Sequence, residues 1–331
     1  MKTDFTNLWQ LVEKASSIII IQAENPDIDS LGSSLALEDI LTQVGKKVSM
    51  YCPVDLPKYI RYVDGWDRVT NHFDYKAELG IIVDTASDIL LSKLLSDPVI
   101  RNWLESKPSI AIDHHSETES SLPFKSHLIL RDAVATAEVV YDISKALNLS
   151  LSADAATYLV AAINGDTLGL STPNVTAKTF RMVADLVDSG ANPSAIEDAR
   201  QSLNKKPAGI LSYKGDLIKR IEYHADDRLA TIHIPFEDIQ KYSDLYNPSV
   251  LVLEEMRLVE GVEVAVAFKT YPDGKVTGKI RSNKPIANTL AGYFGGGGHA
   301  YASGFRVYDD YDKILIEVIE QTRKILDDEI I

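Results

Sequence analysis

Three short apolar runs in the first half of the chain each stop abruptly at acidic or histidine residues. Residues 17–21 precede Asp27 and Asp29, residues 80–83 precede Asp84, and residues 109–112 precede the triplet Asp113-His114-His115. Runs of this length that are rich in β-branched residues and separated by helical patterns are typical of buried strands in a parallel sheet. Since ligands bind outside the carboxyl ends of such strands, we expect the three polar clusters to converge.

The chain is predicted to form an α/β fold in two domains. Its 331 residues exceed one ordinary domain, and a hydrophobic fraction of 45% allows two apolar cores. We expect a mainly parallel sheet flanked by helices over residues 1–190, a helical connector over 191–219, and a smaller α/β domain with a mixed sheet over 220–331. In the first domain the patterns predict helices at 31–44, 136–147, 153–164 and 176–189. In the second they predict a helix at 286–294 and strands at 228–234, 262–281 and 304–308, the second strand broken by the turn Pro272-Asp273-Gly274.

The composition and net charge limit the binding partners and the cellular compartment that we expect for this protein. The formal net charge of −14 argues against long duplex nucleic acid, whose phosphates need a basic face. Small anionic substrates stay open, because bound metal ions can supply positive charge. Residues 1–5 lack the basic segment followed by a long apolar stretch that a secretory signal needs, and the apolar runs are too short for a bilayer. Cys52, the only cysteine of the sequence, has no partner for an internal disulfide. We therefore expect a cytoplasmic protein that does not associate with membranes.

The acidic positions after the first two runs carry weak signals individually. Asp27 and Asp29 lie in a loop that opens a helix, where two carboxylates can face neighbouring metal ions. Asp29 or Ser30 can equally cap that helix. Asp84 is either a metal-bridging carboxylate or a solvated turn residue.

The triplet and a fourth acidic position strengthen the prediction of a metal site. Neutral imidazole binds transition metals well, and Asp113 beside the histidines can fix a tautomer. Gly165 predicts a turn that ends the preceding helix and projects Asp166 away from it. Carboxylates with a histidine suit manganese or magnesium, and paired metals recur in phosphoryl displacement.

A glycine run in the second half predicts a contact with phosphate. Residues 295–298 could form a flexible linker, but their place between a helix and a strand favours backbone amides that approach an anion. A guanidinium and a hydroxyl at the end of the hairpin strand would bind the same anion, unless this is an ordinary surface strand end. The candidate substrate-binding residues are Arg281, Ser282, Asn283, Gly296, Gly297, Gly298 and His299.

With these residues assembled, the chain resembles the DHH family of phosphoesterases, in particular the branch of nanoRNases and 3′-phosphoadenosine 5′-phosphate phosphatases. The matching motifs, in chain order, are residues 25–33, Val83-Asp84-Thr85, Asp113-His114-His115, Gly165-Asp166-Thr167, and the glycine run with His299 followed by residues 302–305. They extend over nearly the whole chain. The resemblance implies the DHH fold with the family's associated C-terminal domain.

The resemblance also implies roles for individual residues. One manganese would be held by Asp27 and Asp84, and the other by Asp29, Asp84, His114 and Asp166. Asp84 would then bridge the two ions. His115 would face the substrate phosphate, and Asp113 would orient a ligand histidine from behind. Arg281 and the glycine loop with His299 would bind the far phosphate or the nucleotide.

The activity implied is hydrolysis of short oligoribonucleotides, linear dinucleotides or nucleoside 3′,5′-bisphosphates by a metal-bound hydroxide. The partner is then a small nucleotide substrate, and a homodimer is an open alternative to a monomer. A pyrophosphatase or polyphosphatase on the same scaffold is a second hypothesis. A nucleotide-binding module without catalysis is a third, and it rests on Ala23 alone.

Ala23 departs from the family pattern. Relatives usually carry a histidine there, four positions before the first motif aspartate. Either Glu24 or water replaces that imidazole, or the first site binds weakly until substrate completes it, or activity has been lost. The retention of the other ligands argues against loss. Ile28, where relatives often have glycine, is a smaller departure.

Overall fold

The structure is a computed structural model and describes residues 2–115 and 120–328. It divides into two compact units, Met1–Lys205 and Lys206–Ile331. Each unit contains one sheet with helices packed against it. The predicted α/β class, with a parallel sheet in the first half and a mixed sheet in the second, is confirmed.

The sheet of the first unit is parallel throughout its described pairs. Its strands are β1 (Ser17–Ile21), β2 (Lys47–Tyr51), β3 (Val69–Thr70), β4 (Leu79–Val83), β5 (Ser109–Asp113) and β6 (His127–Leu130). Their order across the sheet is β3-β2-β1-β4-β5-β6. The three strands predicted from the apolar runs, β1, β4 and β5, are neighbours at its centre. Their carboxyl ends therefore meet at one edge of the sheet.

Helices cover both faces of this sheet. They are α1 (Lys2–Lys14), α2 (Ile28–Gln43), α3 (Ser92–Ser96), α4 (Pro98–Ser106), α5 (Thr136–Ala146), α6 (Ala153–Asp166), α7 (Ala177–Asp188) and α8 (Pro193–Leu203), with single 3₁₀ turns at Lys58–Ile60, Trp66–Arg68 and Ile89–Leu91. Ile18 and Ile20 pack on the side of α2, α5 and α6, whereas Ile19 and Ile21 pack on the side of α3 and α4. Burial on both faces explains why β1 is apolar at successive positions instead of alternating.

Helices α2 and α6 cross at very short range. A Cβ atom on Gly32 would lie 2.6 Å from the carbonyl oxygen of Tyr158 and 2.9 Å from the Cβ of Ala162. Asp29 lies three residues before Gly32, and Asp166 lies four residues after Ala162, so each is about one helical turn from the crossing. The crossing therefore brings these two carboxylates towards each other.

Substitution Gly32→Ala is expected to reduce both stability and metal affinity. The added methyl group must push α2 and α6 apart, at a cost of about 1–3 kcal/mol for overpacking. Thermal unfolding with and without manganese measures both effects. Gly209→Ala is the matched control, because Gly209 is also helical but has nothing within 4 Å of its Cβ position. Equal behaviour of the two variants would contradict this account of the crossing.

The end of α6 differs from the prediction. Residues 164–166 continue the helix, and Gly165 does not have a positive φ. The expected turn at Gly165 is therefore wrong. Glycine is needed there for space, because a Cβ atom would lie 1.8 Å from the Cγ2 of Ile28. Ile28 thus fills the volume beside Gly165, which gives this departure from the family pattern a packing role.

The second unit forms a mixed sheet. Its strands are β7 (Glu222–His224), β8 (Leu229–Ile234), β9 (Val264–Thr270), β10 (Lys275–Ser282), β11 (Gly297–His299) and β12 (Ala302–Tyr308), in the order β11-β12-β10-β9-β8-β7. The pair β8–β9 is parallel and the other pairs are antiparallel. Its helices are α9 (Ala208–Ile218), α10 (Phe236–Tyr242), α11 (Pro248–Arg257), α12 (Ala287–Tyr293) and α13 (Tyr311–Asp328). The predicted hairpin turn lies between β9 and β10, with Gly274 at φ +76°.

Candidate metal centre

Four predicted ligands meet outside the carboxyl ends of the central strands. The Nε2 atom of His114 lies 3.4 Å from a carboxylate oxygen of Asp166, 3.6 Å from one of Asp84 and 3.9 Å from one of Asp29. These side chains come from four separate elements: the first turn of α2, the ends of β4 and β5, and the last turn of α6. The parallel topology and the helix crossing together account for their convergence.

The ring of His114 is oriented by the backbone. Its Nδ1 lies 3.1 Å from the carbonyl oxygen of Ala133, which can only accept a hydrogen bond. In the neutral ring the proton is therefore on Nδ1, which leaves the Nε2 lone pair facing the carboxylates. Among the described residues, two groups could hold a metal ion, with donor atoms that lie within 4.8 Å of one another inside each group. Asp29, His114 and Asp166 form one group, and Asp84, His114 and His115 form the other.

Asp29 is held by the start of a helix. It is fully buried, and its two carboxylate oxygens accept hydrogen bonds from the backbone amides of Thr136, at 2.6 Å, and Ala137, at 3.0 Å. These amides belong to the first turn of α5, where N–H groups lack partners within the helix. Ser33, one turn further along α2, donates to the same carboxylate. Asp29 therefore joins α2 to α5 while it faces His114.

The backbone itself directs the side chain of Asp84. This residue follows β4 in the left-handed region, with φ +65°, which non-glycine residues rarely adopt. Its carboxylate accepts a hydrogen bond of 2.9 Å from the hydroxyl of Thr136. Thr136 thus contacts Asp29 through its amide and Asp84 through its hydroxyl, and it fixes the separation of the two carboxylates.

The carboxylates of this cluster repel one another in a dry environment. Burial, followed by the charge of Asp29, raises the pKa of Asp84 well above its ordinary value. Burial also raises the pKa of Asp29, and burial with the charge of Asp29 raises the pKa of Asp166 to about 7. Uncompensated negative charge of this kind is costly, and a divalent cation would neutralise it. Carboxylate oxygens with one imidazole nitrogen fit manganese or magnesium by ligand type.

This electrostatic strain predicts a pH-dependent response to metal. In the metal-free protein, the raised pKa of Asp166 adds stability below the ordinary value of 3.8, and that contribution is lost as the pH rises through about 7. Metal must displace the proton at low pH. The increase in Tm caused by manganese should therefore grow from about pH 5 to about pH 8. Asp166→Asn should flatten this dependence, and a wild-type response independent of pH would contradict it.

Asp113 and His115 form a pair beside the cluster. The buried carboxylate of Asp113 accepts hydrogen bonds from the His115 ring, at 2.7 Å, and from its backbone amide, at 3.1 Å. The hydrogen bond with Asp113 raises the pKa of His115. Burial alone would raise the pKa of Asp113, but its contacts with His115 outweigh burial and lower that pKa. Asp113 thus orients His115, and the Ala133 carbonyl orients the ring of His114.

A cavity of about 410 Å³ opens next to His115. Hydroxyl groups and apolar side chains line it, together with the Asp113–His115 pair: Thr85, Ala86, Ser87, Leu90, Asp113, His115 and Ser121. More than half of the His115 side chain is exposed, so it can reach a molecule in this cavity. The volume suits a small ligand.

Asp27 lies near the cluster and also caps helix α2. It caps α2, because its carboxylate accepts a hydrogen bond of 2.9 Å from the Ser30 amide and the Ser30 hydroxyl accepts one from the Asp27 amide. The cap is therefore Asp27 and not Asp29 or Ser30. Asp27 belongs to neither donor group found among the described residues, although its charge raises the pKa values of Asp84 and Asp166.

Glu24 does not take the place of the histidine that the family pattern has at position 23. Both carboxylate oxygens of Glu24 accept hydrogen bonds at the start of α3, from the Ser92 hydroxyl and from the Lys93 amide. Ala23 itself is buried. Gln22 is also buried, and its amide group has no hydrogen-bond partner within the described residues.

The predicted substrate-binding residues of the second unit fall into two sets. Arg281, Gly297 and His299 lie on one face of the mixed sheet, since Arg281 is opposite Ala302 and Ala302 is opposite His299, while Gly297 is two residues from His299. Ser282 is buried and donates to the carbonyl of Lys284, and Asn283 bonds to α11 and the loop after it, through Arg257 and Val262.

The glycine run has packing roles beside any contact with an anion. A Cβ atom on Gly296 would lie 2.2 Å from the carbonyl oxygen of Gly304, and one on Gly298 would lie 2.6 Å from that of Ala302. The Gly298 amide donates to the side chain of Asn288 at 2.9 Å. Close approach of β11 to β12 thus requires glycine at both positions.

The sequence analysis missed two sets of contacts that position the cluster. These are the hydrogen bonds of Thr136 with Asp29 and Asp84, and the contact of the Ala133 carbonyl with His114. Thr136 was expected only as the first residue of a helix, and the Ala133 carbonyl carried no signal in the sequence. A polar residue at the start of a helix that follows a strand was the one available indication for Thr136.

A parallel sheet with carboxylates and imidazoles gathered at its carboxyl edge defines an α/β protein suited to holding divalent metal ions. Residues 17–163 match the DHH family, N-terminal domain, and residues 250–330 match the DHHA1 domain. The chain therefore carries a DHH N-terminal domain followed by a DHHA1 domain. None of the described helices combines the length and apolar character needed to cross a bilayer.

Similar proteins extend over almost the whole chain. It is 23% identical over 319 residues to the bifunctional oligoribonuclease and PAP phosphatase NrnA of Bacillus subtilis, which covers 95% of this chain and 97% of the relative. It is 28% identical over 311 residues to the protein of that name from Thermus thermophilus, covering 93% and 89%. An exopolyphosphatase-related protein from Bacteroides fragilis matches in structure with a TM-score of 0.78 at 20% identity, over 99% of this chain and 98% of that one.

Proposed function

We propose that this chain hydrolyses phosphoester bonds in short oligoribonucleotides, linear dinucleotides or nucleoside 3′,5′-bisphosphates. The convergence of Asp29, Asp84 and Asp166 around the Nε2 atom of His114 carries the proposal. The names of the Bacillus and Thermus relatives, which state oligoribonuclease and PAP phosphatase, support this choice of substrates. The net charge of −14 disfavours long duplex, and a cytoplasmic location suits these substrates.

The cofactor proposed is a pair of manganese ions, with magnesium as the alternative. One ion would be held by Asp29, Asp84, His114 and Asp166, and the other by Asp27 and Asp84. When bound, such ions lower the pKa of water and neutralise charge on the phosphoryl oxygens. Thr136 fixes the Asp84 carboxylate, and the Ala133 carbonyl selects the neutral tautomer of His114 whose Nε2 lone pair would bind the ion.

His115 is proposed to act on the substrate phosphate. Its hydrogen bond with Asp113 orients the ring and raises its pKa, which favours a protonated imidazole at the cavity wall. A cation there can hold a phosphoryl oxygen as negative charge develops on it. Asp113 is thus a positioning residue, and His115 is the group that touches substrate.

Water is proposed to complete the coordination beside Ala23. Glu24 is unsuitable because both of its carboxylate oxygens are already bonded to α3. The ion held by Asp27 and Asp84 then has fewer protein ligands than the other ion. We expect it to bind more weakly and to be completed by substrate.

The far part of the substrate is proposed to bind the face of the mixed sheet on which Arg281 lies, at the strands that α11 does not cover. Arg281 and His299 share that face, and the small residues Ala302 and Gly297 lie on it as well. Arg281 has a carboxylate oxygen of Glu254 3.8 Å from its Nε atom, which leaves most of its guanidinium donors for an anion. Ser282 and Asn283 stay predicted contacts.

A panel of substrates tests the proposal. Turnover of pApA, short RNAs, 3′-phosphoadenosine 5′-phosphate and pyrophosphate is measured with manganese and with excess chelator. We expect manganese-dependent turnover of the nucleotides and little release from pyrophosphate. Faster hydrolysis of pyrophosphate would favour a pyrophosphatase or polyphosphatase, and nucleotide binding without any turnover would favour a non-catalytic binding module.

A further inference from the structure

The face of the mixed sheet on which Arg281 lies carries two further cations, beside α11, which covers Ala265 and Ala267 of β9. Along β10 the side chains of Thr277, Lys279 and Arg281 are partly exposed, whereas the residues between them are buried against α12 and α13. Lys269 on β9 is opposite Thr277 and therefore lies on the same face, diagonal to Lys279. In a chain of net charge −14, this is a local concentration of cations on one surface.

Lys279 lies at the margin of α11. Its directly paired residue on β9, Ala267, is buried beneath α11, whereas its pair on β12, Gly304, is only partly buried and has no side chain. Lys279 has no hydrogen-bond or carboxylate partner in the part of the chain that the structure describes. Lys269 is fixed differently, through a hydrogen bond of 2.8 Å to the side chain of Asn247.

The cations of this face repel one another. Burial, followed by the charge of Lys279, lowers the pKa of Lys269. Burial, followed by the charge of Arg281, lowers the pKa of Lys279. Half-buried ammonium groups without a counterion are unfavourable, and an anion placed between them would remove both the repulsion and part of the desolvation cost.

We propose that Lys279, supported by Lys269, forms a second phosphate-binding position next to Arg281, which takes a further phosphodiester of a short oligoribonucleotide. The proposal rests on the proposed function and deepens it. Two residues along a strand separate Lys279 from Arg281 by about 7 Å, so they can contact successive groups of an extended ligand. Substrates with an additional nucleotide should therefore bind more tightly than a dinucleotide, through Lys279.

Binding without metal tests the proposal apart from turnover. Fluorescence anisotropy with labelled pApA and pApApA, in chelator and at several salt concentrations, gives Kd and its salt dependence. Lys279→Gln should weaken pApApA binding about tenfold. It should also reduce the log–log salt slope by about 0.7, the value for one phosphate of a single strand. Binding of pApA should change less than twofold.

Two further variants control for general charge and for folding. Lys324→Gln removes the same charge from an exposed position of α13, which packs on the other face of the sheet, and it should leave both ligands unaffected. Lys279→Arg keeps the charge and should retain tight binding of pApApA. An equal loss for both ligands, or no loss for either, would overturn the proposal.

Turnover in the same preparations separates this inference from the proposed function. If the wild type hydrolyses pApA with manganese but Lys279→Gln binds pApApA as the wild type does, only the second phosphate position is refuted. If the wild type shows no turnover while Lys279→Gln selectively weakens pApApA, the binding position stands and the hydrolytic function fails.

Discussion

Replacement of Asp84 by asparagine is expected to abolish metal-dependent turnover while leaving the metal-free protein folded. Metal ions stabilise phosphoryl transition states by several kcal/mol, and about 4 kcal/mol corresponds to a roughly 10³-fold loss of rate. Asparagine tolerates the left-handed backbone of residue 84 and can still accept the hydrogen bond from Thr136. Rate assays with the substrate panel measure the loss.

The thermal stability of Asp84→Asn without metal, unlike its turnover, is not expected to fall. Burial and the charge of Asp29 raise the pKa of Asp84, so its ionised form is unfavourable at neutral pH. A neutral amide removes that cost, and the Tm of Asp84→Asn without metal should equal or exceed that of the wild type. Asp74→Asn, in the loop that precedes the same strand, is the control for rate. Full activity in Asp84→Asn would refute the assigned site, and a large fall in its Tm would refute the electrostatic argument.

Replacement of Asp29 by alanine is expected to reduce activity and stability together. The substitution leaves the buried amides of Thr136 and Ala137 without acceptors, at a cost of about 2–4 kcal/mol for two such groups. It also removes a proposed metal ligand, so turnover should fall as in Asp84→Asn. Chemical denaturation and rate assays measure the two effects.

Two further variants, Asp29→Asn and Asp97→Ala, separate the effect on activity from the effect on stability. Asp29→Asn keeps one acceptor for the first turn of α5 and should recover part of the stability but none of the activity. Asp97→Ala removes the cap of α4, whose carboxylate accepts from the Val99 and Ile100 amides, and should cost about 1 kcal/mol with no loss of rate. Wild-type stability of Asp29→Ala would show that α5 does not depend on this carboxylate.

The central part of the fold could be predicted from the sequence because its signal is local. β1, β4 and β5 are buried on both faces, so each appears as an uninterrupted apolar run. β2 was missed because it begins with the exposed Lys47 and contains the polar Ser49. β6 lies at the edge of the sheet and is only partly buried, so it lacks such a run.

The candidate site could be predicted in its residue types but not in its supporting contacts. Acidic and histidine residues at strand ends are visible in a sequence, and parallel topology brings them together. The pairing of Asp113 with His115 rather than with His114 depends on two ring orientations, and the second is set by a backbone carbonyl. The need for glycine at position 165 depends on Ile28, which is distant in sequence. Contacts of these kinds leave no periodicity or composition to detect.

The contact between α2 and α6 limits how the site can adapt to ions of different size. Asp29 and Asp166 are each attached to a helix, and these helices already touch at Gly32. Their separation is a property of two packed backbones and cannot follow a larger or smaller ion. His114 and Asp84 are held as well, by the Ala133 carbonyl and the Thr136 hydroxyl. A change in ionic radius must therefore be absorbed by rotation of side chains on fixed backbone positions, and discrimination between metals would depend on how much rotation these contacts allow.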